Sequence, residues 1–277
     1  VKATGTIHTP ESSAMIATAP KSAWFQRLFF LYNQYYLLRR NFHTLLIRGD
    51  IDPFVPALAP ARSEAGAGVG AGTAPILYMA NHSSWWDGLL IYHALTVRSK
   101  GDHYMMMSQQ ELNKYGFFRK IGAFPMDAST RSGIMASLDY AVRLLQANRQ
   151  VWIFPQGEIL HQDRRPFRFM TGIGHLLRQC PQTRVVPVTL NYTFTRLQKP
   201  VVSMIFGQAY HEDWSASDRK TITERCRCLL EKQADEHRAL VIDHPEPPIA
   251  GFTSILAPTK ATDEQFTLVR EKVTRWF

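Results

Sequence analysis

The chain has 277 residues, 45% hydrophobic and 20% charged, with 16 Gly and 16 Pro, an ordinary globular composition that excludes fibrous and wholly disordered classes. The length suits one large domain or two small ones, no internal repeat points to a solenoid or propeller, and no window holds the ~18 apolar residues of a spanning helix. Lys+Arg is 32 against Asp+Glu 23, a formal charge of +9, and such a surface attracts nucleic acid, acidic lipid head groups or phosphorylated cofactors such as coenzyme A. Residues 1–20 are small, polar and aperiodic, an expected mobile tail without the apolar run of a secretory signal. The first residue is Val1 rather than Met, which leaves room for an upstream segment. Residues 21–55 are expected to be an N-terminal amphipathic helical element. Its run from Trp24 to Leu38 is aromatic and aliphatic, broken by Arg27, Asn33 and Gln34 and closed by Arg39 and Arg40. That pattern fits a helix lying in a membrane interface and a helix packed on the domain equally well.

Residues 56–75 are Ala/Gly/Pro-rich and read as a flexible loop. An α/β body is expected over 76–244. Its predicted strands are 76–80, 104–107, 124–126, 151–154, 185–190 and 201–206, and its predicted helices 84–97, 109–119, 131–147, 169–179 and 217–240. Strands alternating with helices argue for a largely parallel sheet flanked by helices. The last helix carries Ile222, Cys226, Leu229, Leu230 and Ala234 on one stripe. Residues 245–277 read as a proline-rich extension ending in a short helix over 263–276. The three cysteines, Cys180, Cys226 and Cys228, form no metal-ligand pattern and no disulfide framework, which fits a reducing compartment.

Four short motifs carry candidate chemistry. Asn81-His82-Ser83-Ser84-Trp85-Trp86-Asp87 follows a buried strand and opens a helix, and the carboxyl ends of strands are where ligands bind in open α/β sheets. Positions five apart do not share a face of one helix. His82 and Asp87 therefore meet only if His82 stays in the loop and Asp87 lies in the first turn, where the carboxylate orients a general base. Ser84 and Asp87 also have capping-box spacing, so Asp87 reads as a cap as well, and the two roles are compatible. The second motif is Phe154-Pro155-Gln156-Gly157-Glu158, again just after a strand, with Gly157 permitting close backbone approach. Gly122-Ala123-Phe124-Pro125-Met126-Asp127 and Val186-Pro187-Val188 are weaker.

In this order and at these separations the set resembles the PlsC-like glycerolipid acyltransferases, over roughly 76–206. The resemblance implies an α/β fold with a helical element docked on a membrane, and it places the family's catalytic pair on His82 and Asp87. It puts substrate contacts at Asn81, Phe154, Pro155, Gln156, Gly157 and Glu158. Ala128 and Ile159 stand where the family usually has arginines that grip an acceptor phosphate, and Gln156 and Glu158 replace its usual Glu and Thr. Arg164, Arg165 and Arg168 follow shortly after, either as substitutes or as a solvated basic loop.

The resulting expectation is an O-acyltransferase that uses acyl-CoA or an acyl carrier protein as donor substrate, with no bound cofactor and no metal. Backbone N–H groups around Gly157 are expected to form part of the oxyanion site. The expected acceptor is a hydroxyl-bearing amphiphile that need not carry phosphate at the family's usual site, such as a glycolipid, with 1-acylglycerol-3-phosphate as the alternative. The expected place is the cytoplasmic face of a membrane, held peripherally by anionic lipids. A non-catalytic lipid-binding adaptor is the rival of another class. Nucleic acid rests on charge alone, since no helix-turn-helix, zinc-finger or ribonucleoprotein motif is present.

Overall fold

The computed structural model describes residues 20–53 and 74–258, with positions 266 and 270. Its centre is one eight-stranded sheet. In chain order the strands are β1 (Thr44–Arg48), β2 (Ile76–Ala80), β3 (His103–Ser108), β4 (Ala123–Met126), β5 (Gln150–Ile153), β6 (Arg184–Thr193), β7 (Val201–Phe206) and β8 (Thr253–Leu256). They lie in the order β4-β3-β5-β2-β6-β7-β1-β8. Neighbours are parallel except β6 with β7 and β1 with β8. β2 is buried at every position, as a strand covered on both faces should be.

Alternation sorts the side chains into two layers. Leu77, Met79, Val151, Ile153 and Val185 join Leu138, Leu145, Leu176, Ile222 and Leu230 in one cluster. These partners come from α5 (Arg131–Gln146), α6 (Gly172–Gln179) and α7 (Arg219–Asp243). Tyr78, Ala80, Trp152, Val186, Val188 and Leu190 point the other way, onto Leu90, Ile91 and Ala94 of α3 (Asp87–Arg98). Thr130 caps α5 through the Gly133 N–H at 2.9 Å, and Asp218 caps α7 through the N–H groups of Lys220 and Thr221. Each such cap is worth ~1 kcal/mol.

Trp152 anchors the α3 layer. Its ring stacks on Tyr78 at 4.3 Å and 4°, and its indole N–H donates to His103 Nδ1 at 3.0 Å. Trp152→Ala is expected to cost about 3–5 kcal/mol, read as a lower urea midpoint with an unchanged slope.

Several expectations need correction. The N-terminal element is helical only as far as Asn41. It runs as α1 (Ala23–Leu31), a π-helical stretch (Tyr32–Leu38) and the short α2 (Arg39–Asn41). Thr44–Arg48 is then a strand, because Leu45, Leu46 and Ile47 are all buried and the segment pairs with β7 and β8. The sheet thus extends beyond 76–244 on both sides. The helix expected over 84–97 starts at Asp87, and the one expected over 169–179 starts at Gly172. The one expected over 109–119 is α4 (Gln109–Lys114) followed by a 3-10 turn at Gly116–Ile121. Most of the tail, loop and final helix expected at 1–20, 56–75 and 263–276 lies outside the described residues. Among the described residues no helix is long and apolar enough to cross a membrane.

Candidate active site

The site sits at the carboxyl ends of β2 and β5. β2 ends at Ala80, and residues 81–86 leave the sheet before α3 begins at Asp87. His82 therefore lies in the loop and Asp87 in the first turn, the arrangement their spacing requires. His82 Nδ1 and Asp87 Oδ2 are 2.9 Å apart. The Asp87 side chain is fully buried, while that of His82 keeps 21% exposure. Nδ1–H directed at a carboxylate leaves Nε2 with the lone pair, the state of a base.

The capping box expected from Ser84 and Asp87 is only half formed: α3 starts at Asp87 with no side-chain cap, and Asp87 instead holds the loop before it. Its Oδ2 accepts the N–H groups of Ser83 at 2.7 Å and Ser84 at 2.9 Å. Its Oδ1 accepts the Tyr192 hydroxyl. Counting His82, four donors converge on one buried carboxylate and satisfy it without water.

His82 is fixed on two further sides. Its ring stacks on Phe154 at 4.2 Å and 18°. Its N–H donates to Gln156 Oε1 at 2.6 Å, and its carbonyl accepts the Leu160 N–H at 2.9 Å. Gln156 is thus a buried brace for the His82 backbone. Asn81 faces β6: its amide donates to the Leu190 carbonyl at 3.0 Å and accepts the Leu190 N–H at 2.8 Å.

The other expected contacts divide. Gly157 has φ +75° and an added Cβ would lie 3.2 Å from Met170 Cγ, so only glycine suits the turn. Its N–H donates to the Phe154 carbonyl at 3.0 Å. That N–H is committed inside the turn, so an oxyanion donor there would have to come from a neighbouring backbone N–H rather than from Gly157 itself. Pro155 is buried and its carbonyl accepts the Met170 N–H at 2.7 Å, while Glu158 is exposed beside the turn.

Arg165 is not brought onto the His82–Asp87 pair. Its Nε donates to Asp235 of α7 at 2.8 Å, its NH1 to the carbonyls of Gln162 and Arg164, and it lies over the Phe167 ring at 4.4 Å. Arg164 and Arg168 are exposed. Asp127, on the weaker third motif, accepts from Ser129 instead, which holds its carboxyl below the usual range.

Tyr192 and Gln162 belong to this site and no motif announces them. Alternation along β6 carries the signal for Tyr192: Val186, Val188 and Leu190 pack on the α3 side, and Tyr192 continues that series. Gln162 is a polar residue in a basic loop, and its local sequence holds no such signal.

An aromatic path runs from this loop towards α1. Trp85 meets Tyr115 at 6.4 Å, Tyr115 meets Phe117 at 6.2 Å, and Phe117 meets Phe29 at 5.5 Å and Phe25 at 6.1 Å. Tyr92 of α3 donates its hydroxyl to the Gln26 carbonyl at 2.9 Å, and Asn33 donates to the Leu89 carbonyl at 3.1 Å. The N-terminal element therefore packs along the helix that starts with Asp87.

The family model described as Acyltransferase matches residues 61–191. The match takes in His82, Asp87 and the 154–158 turn. No curated protein matches the chain. Among five matching solved chains is the 1-acyl-sn-glycerophosphate (LPA) acyltransferase PlsC from Thermotoga maritima. It is 14% identical, with 77% of this chain and 75% of that chain covered and a TM-score of 0.46.

Proposed function

We propose that the protein transfers a fatty acyl group from an acyl thioester to a hydroxyl of a lipid-like acceptor, with His82 as general base and Asp87 as its orienting carboxylate. The supporting observation is the 2.9 Å pairing of His82 Nδ1 with the buried Asp87 carboxylate. In this reading Nε2 takes the acceptor hydroxyl proton as the oxygen attacks the thioester carbonyl. The new C–O bond forms, the tetrahedral intermediate collapses, the C–S bond breaks, and the departing thiolate takes the proton back from the imidazolium. Coenzyme A or an acyl carrier protein is the leaving thiol, and the net charge of +9 suits both. The chemistry needs no bound cofactor and no nucleophilic Ser or Cys.

The proposed acceptor carries no phosphate at the family's usual site. Phosphate recognition prefers arginine forks, and Ala128 and Ile159 stand in place of the family's arginines. Arg165 is engaged by Asp235, and the exposed Glu158 carboxylate repels phosphate while accepting hydrogen bonds from sugar or polyol hydroxyls. Acyl transfer to a neutral glycolipid is expected to exceed transfer to lysophosphatidic acid, compared side by side in wild type, Arg165→Ala and Arg168→Ala. Efficient transfer to lysophosphatidic acid that collapses on losing either arginine would favour the phosphorylated acceptor instead.

The proposed location is peripheral, on the cytoplasmic face of a membrane containing anionic lipid. α1 turns Trp24, Leu28 and Leu31 to the outside, and residues 20–48 include no acidic side chain. The adaptor reading draws on the altered 154–158 motif. Gln156 has a structural task on the His82 backbone, so its change does not by itself empty the site. Thioester turnover that survives His82→Ala, or is absent from the wild type, would favour the adaptor.

A further inference from the structure

β2 stops at Ala80, opposite Val188, while β6 runs on to Thr193. On that side the backbone groups of Leu190 and Tyr192 have no strand to pair with. Two side-chain amides take its place. The Asn81 amide both donates to and accepts from Leu190. The Gln162 amide does the same at Tyr192, donating to its carbonyl at 3.2 Å and accepting its N–H at 3.0 Å. A primary amide offers a donor and an acceptor much as a peptide group does. The ladder therefore continues for two more residues without a strand. The backbone stays extended there, and Tyr192 keeps its ring on the α3 face, where its hydroxyl meets Asp87 Oδ1.

From this geometry we infer that Tyr192, held in place by Gln162, is a positioning residue for the His82–Asp87 pair. The inference rests on the proposed general-base reading. Oδ2 of Asp87 is occupied by Ser83, Ser84 and His82, so Tyr192 alone decides what Oδ1 meets. Burial first, then the Asp87 charge, push the phenol ionisation well up, and the group remains a donor throughout the working pH range. A donor on Oδ1 does two things. It fixes the carboxylate plane that His82 must meet, and it draws charge away from Oδ2, which limits how strongly Asp87 favours the imidazolium. The groups facing this pair are Asp87 from α3, Tyr192 from β6, Phe154 and Gln156 after β5, and Ser84 beside the phenol. Only Asp87 among them is charged.

The test is an NMR titration of the His82 imidazole signal in the full chain, with the signal assigned by its loss in His82→Ala. Removing the hydroxyl in Tyr192→Phe is expected to move the titration midpoint up by roughly 0.3–1 pH unit. Gln162→Leu keeps the phenol but frees its backbone, and is expected to move the midpoint the same way by less. Tyr78→Phe is the structural control. It removes another buried phenol bond, the 2.6 Å one to the Ile51 carbonyl, and is expected to cost stability without moving the midpoint. With thioester substrate, the acid limb of kcat/KM is expected to shift with the midpoint, kcat falling more than KM rises.

An unmoved midpoint in folded Tyr192→Phe overturns the inference. So does an unmoved midpoint in Gln162→Leu if Tyr192→Phe does not fold. Full turnover in His82→Ala would instead sink the general-base reading, and the titration would still decide whether Tyr192 positions the pair.

Discussion

Replacing His82 with alanine is expected to lower acyl transfer by about 10²–10⁴-fold, the usual contribution of a general base. The side chain is partly exposed and rests on Phe154, so its removal leaves the buried core intact and the loss should appear in turnover rather than in the melting curve. Asp87→Asn is expected to act in the same direction through a different fault. An amide nitrogen placed at Oδ2 would face the N–H groups of Ser83 and Ser84 and the Nδ1–H of His82. An amide flipped to avoid them would aim its N–H₂ at the Tyr192 hydroxyl, which must then turn round. Release of free thiol from an acyl thioester, with circular dichroism as the folding check, measures both variants. A folded His82→Ala protein with full activity would end the proposed chemistry.

The second large effect is expected at the N-terminal helix. Trp24 is 71% exposed, with Leu28 and Leu31 following at helical spacing on the same side. Each such side chain gains ~1.5–3 kcal/mol when it is fully removed from water. Trp24→Ala, Leu28→Ala and Leu31→Ala together are therefore expected to weaken binding to anionic vesicles by on the order of 10³-fold. Arg39 and Arg40, which lie over the rings of Tyr35 and Tyr36, add about 1 kcal/mol each through the surface potential. Reversing their charge is expected to matter at low salt and to fade at high salt. Co-sedimentation reads both effects. Wild-type protein that stays in the supernatant at low and physiological salt alike would rule out the interfacial role.

Much of this architecture is legible in the residues, for identifiable reasons. β2 and β7 can be read to their observed limits because both are short apolar runs with sharp ends. α5 and α7 are legible because their stripes have a helical period and their starts carry Thr130 and Asp218. β1 is not, because Leu45, Leu46 and Ile47 continue the apolar run of the preceding helix and no Gly or Pro separates them; only pairing with β7 makes them a strand. Strand β8 is hidden for a related reason, since its antiparallel partner is β1, far away in sequence. At the site, the spacing of His82 and Asp87 expresses their contact, because both sit on one short stretch. The bonds of Tyr192 to Asp87 and of Gln162 to Tyr192 span distant segments, and no local pattern encodes them. The commitment of the Gly157 N–H to Phe154 likewise depends on a turn whose hydrogen bond the motif does not specify.

The family match ends at residue 191, near the end of β6 and one residue short of Tyr192. Three of the eight strands, β1, β7 and β8, lie outside it, and they form one flank of the sheet. A chain cut to the matched segment would keep the His82–Asp87 pair and lose the phenol behind it. It would also turn β6 from an interior strand into a bare edge of apolar residues, the kind of edge that recruits other chains. Strand β1 needs β7 and β8, both made late in synthesis, so its apolar face waits for most of the protein to appear. The stretch that holds the His82–Asp87 pair is therefore shorter than the stretch that completes the sheet around it.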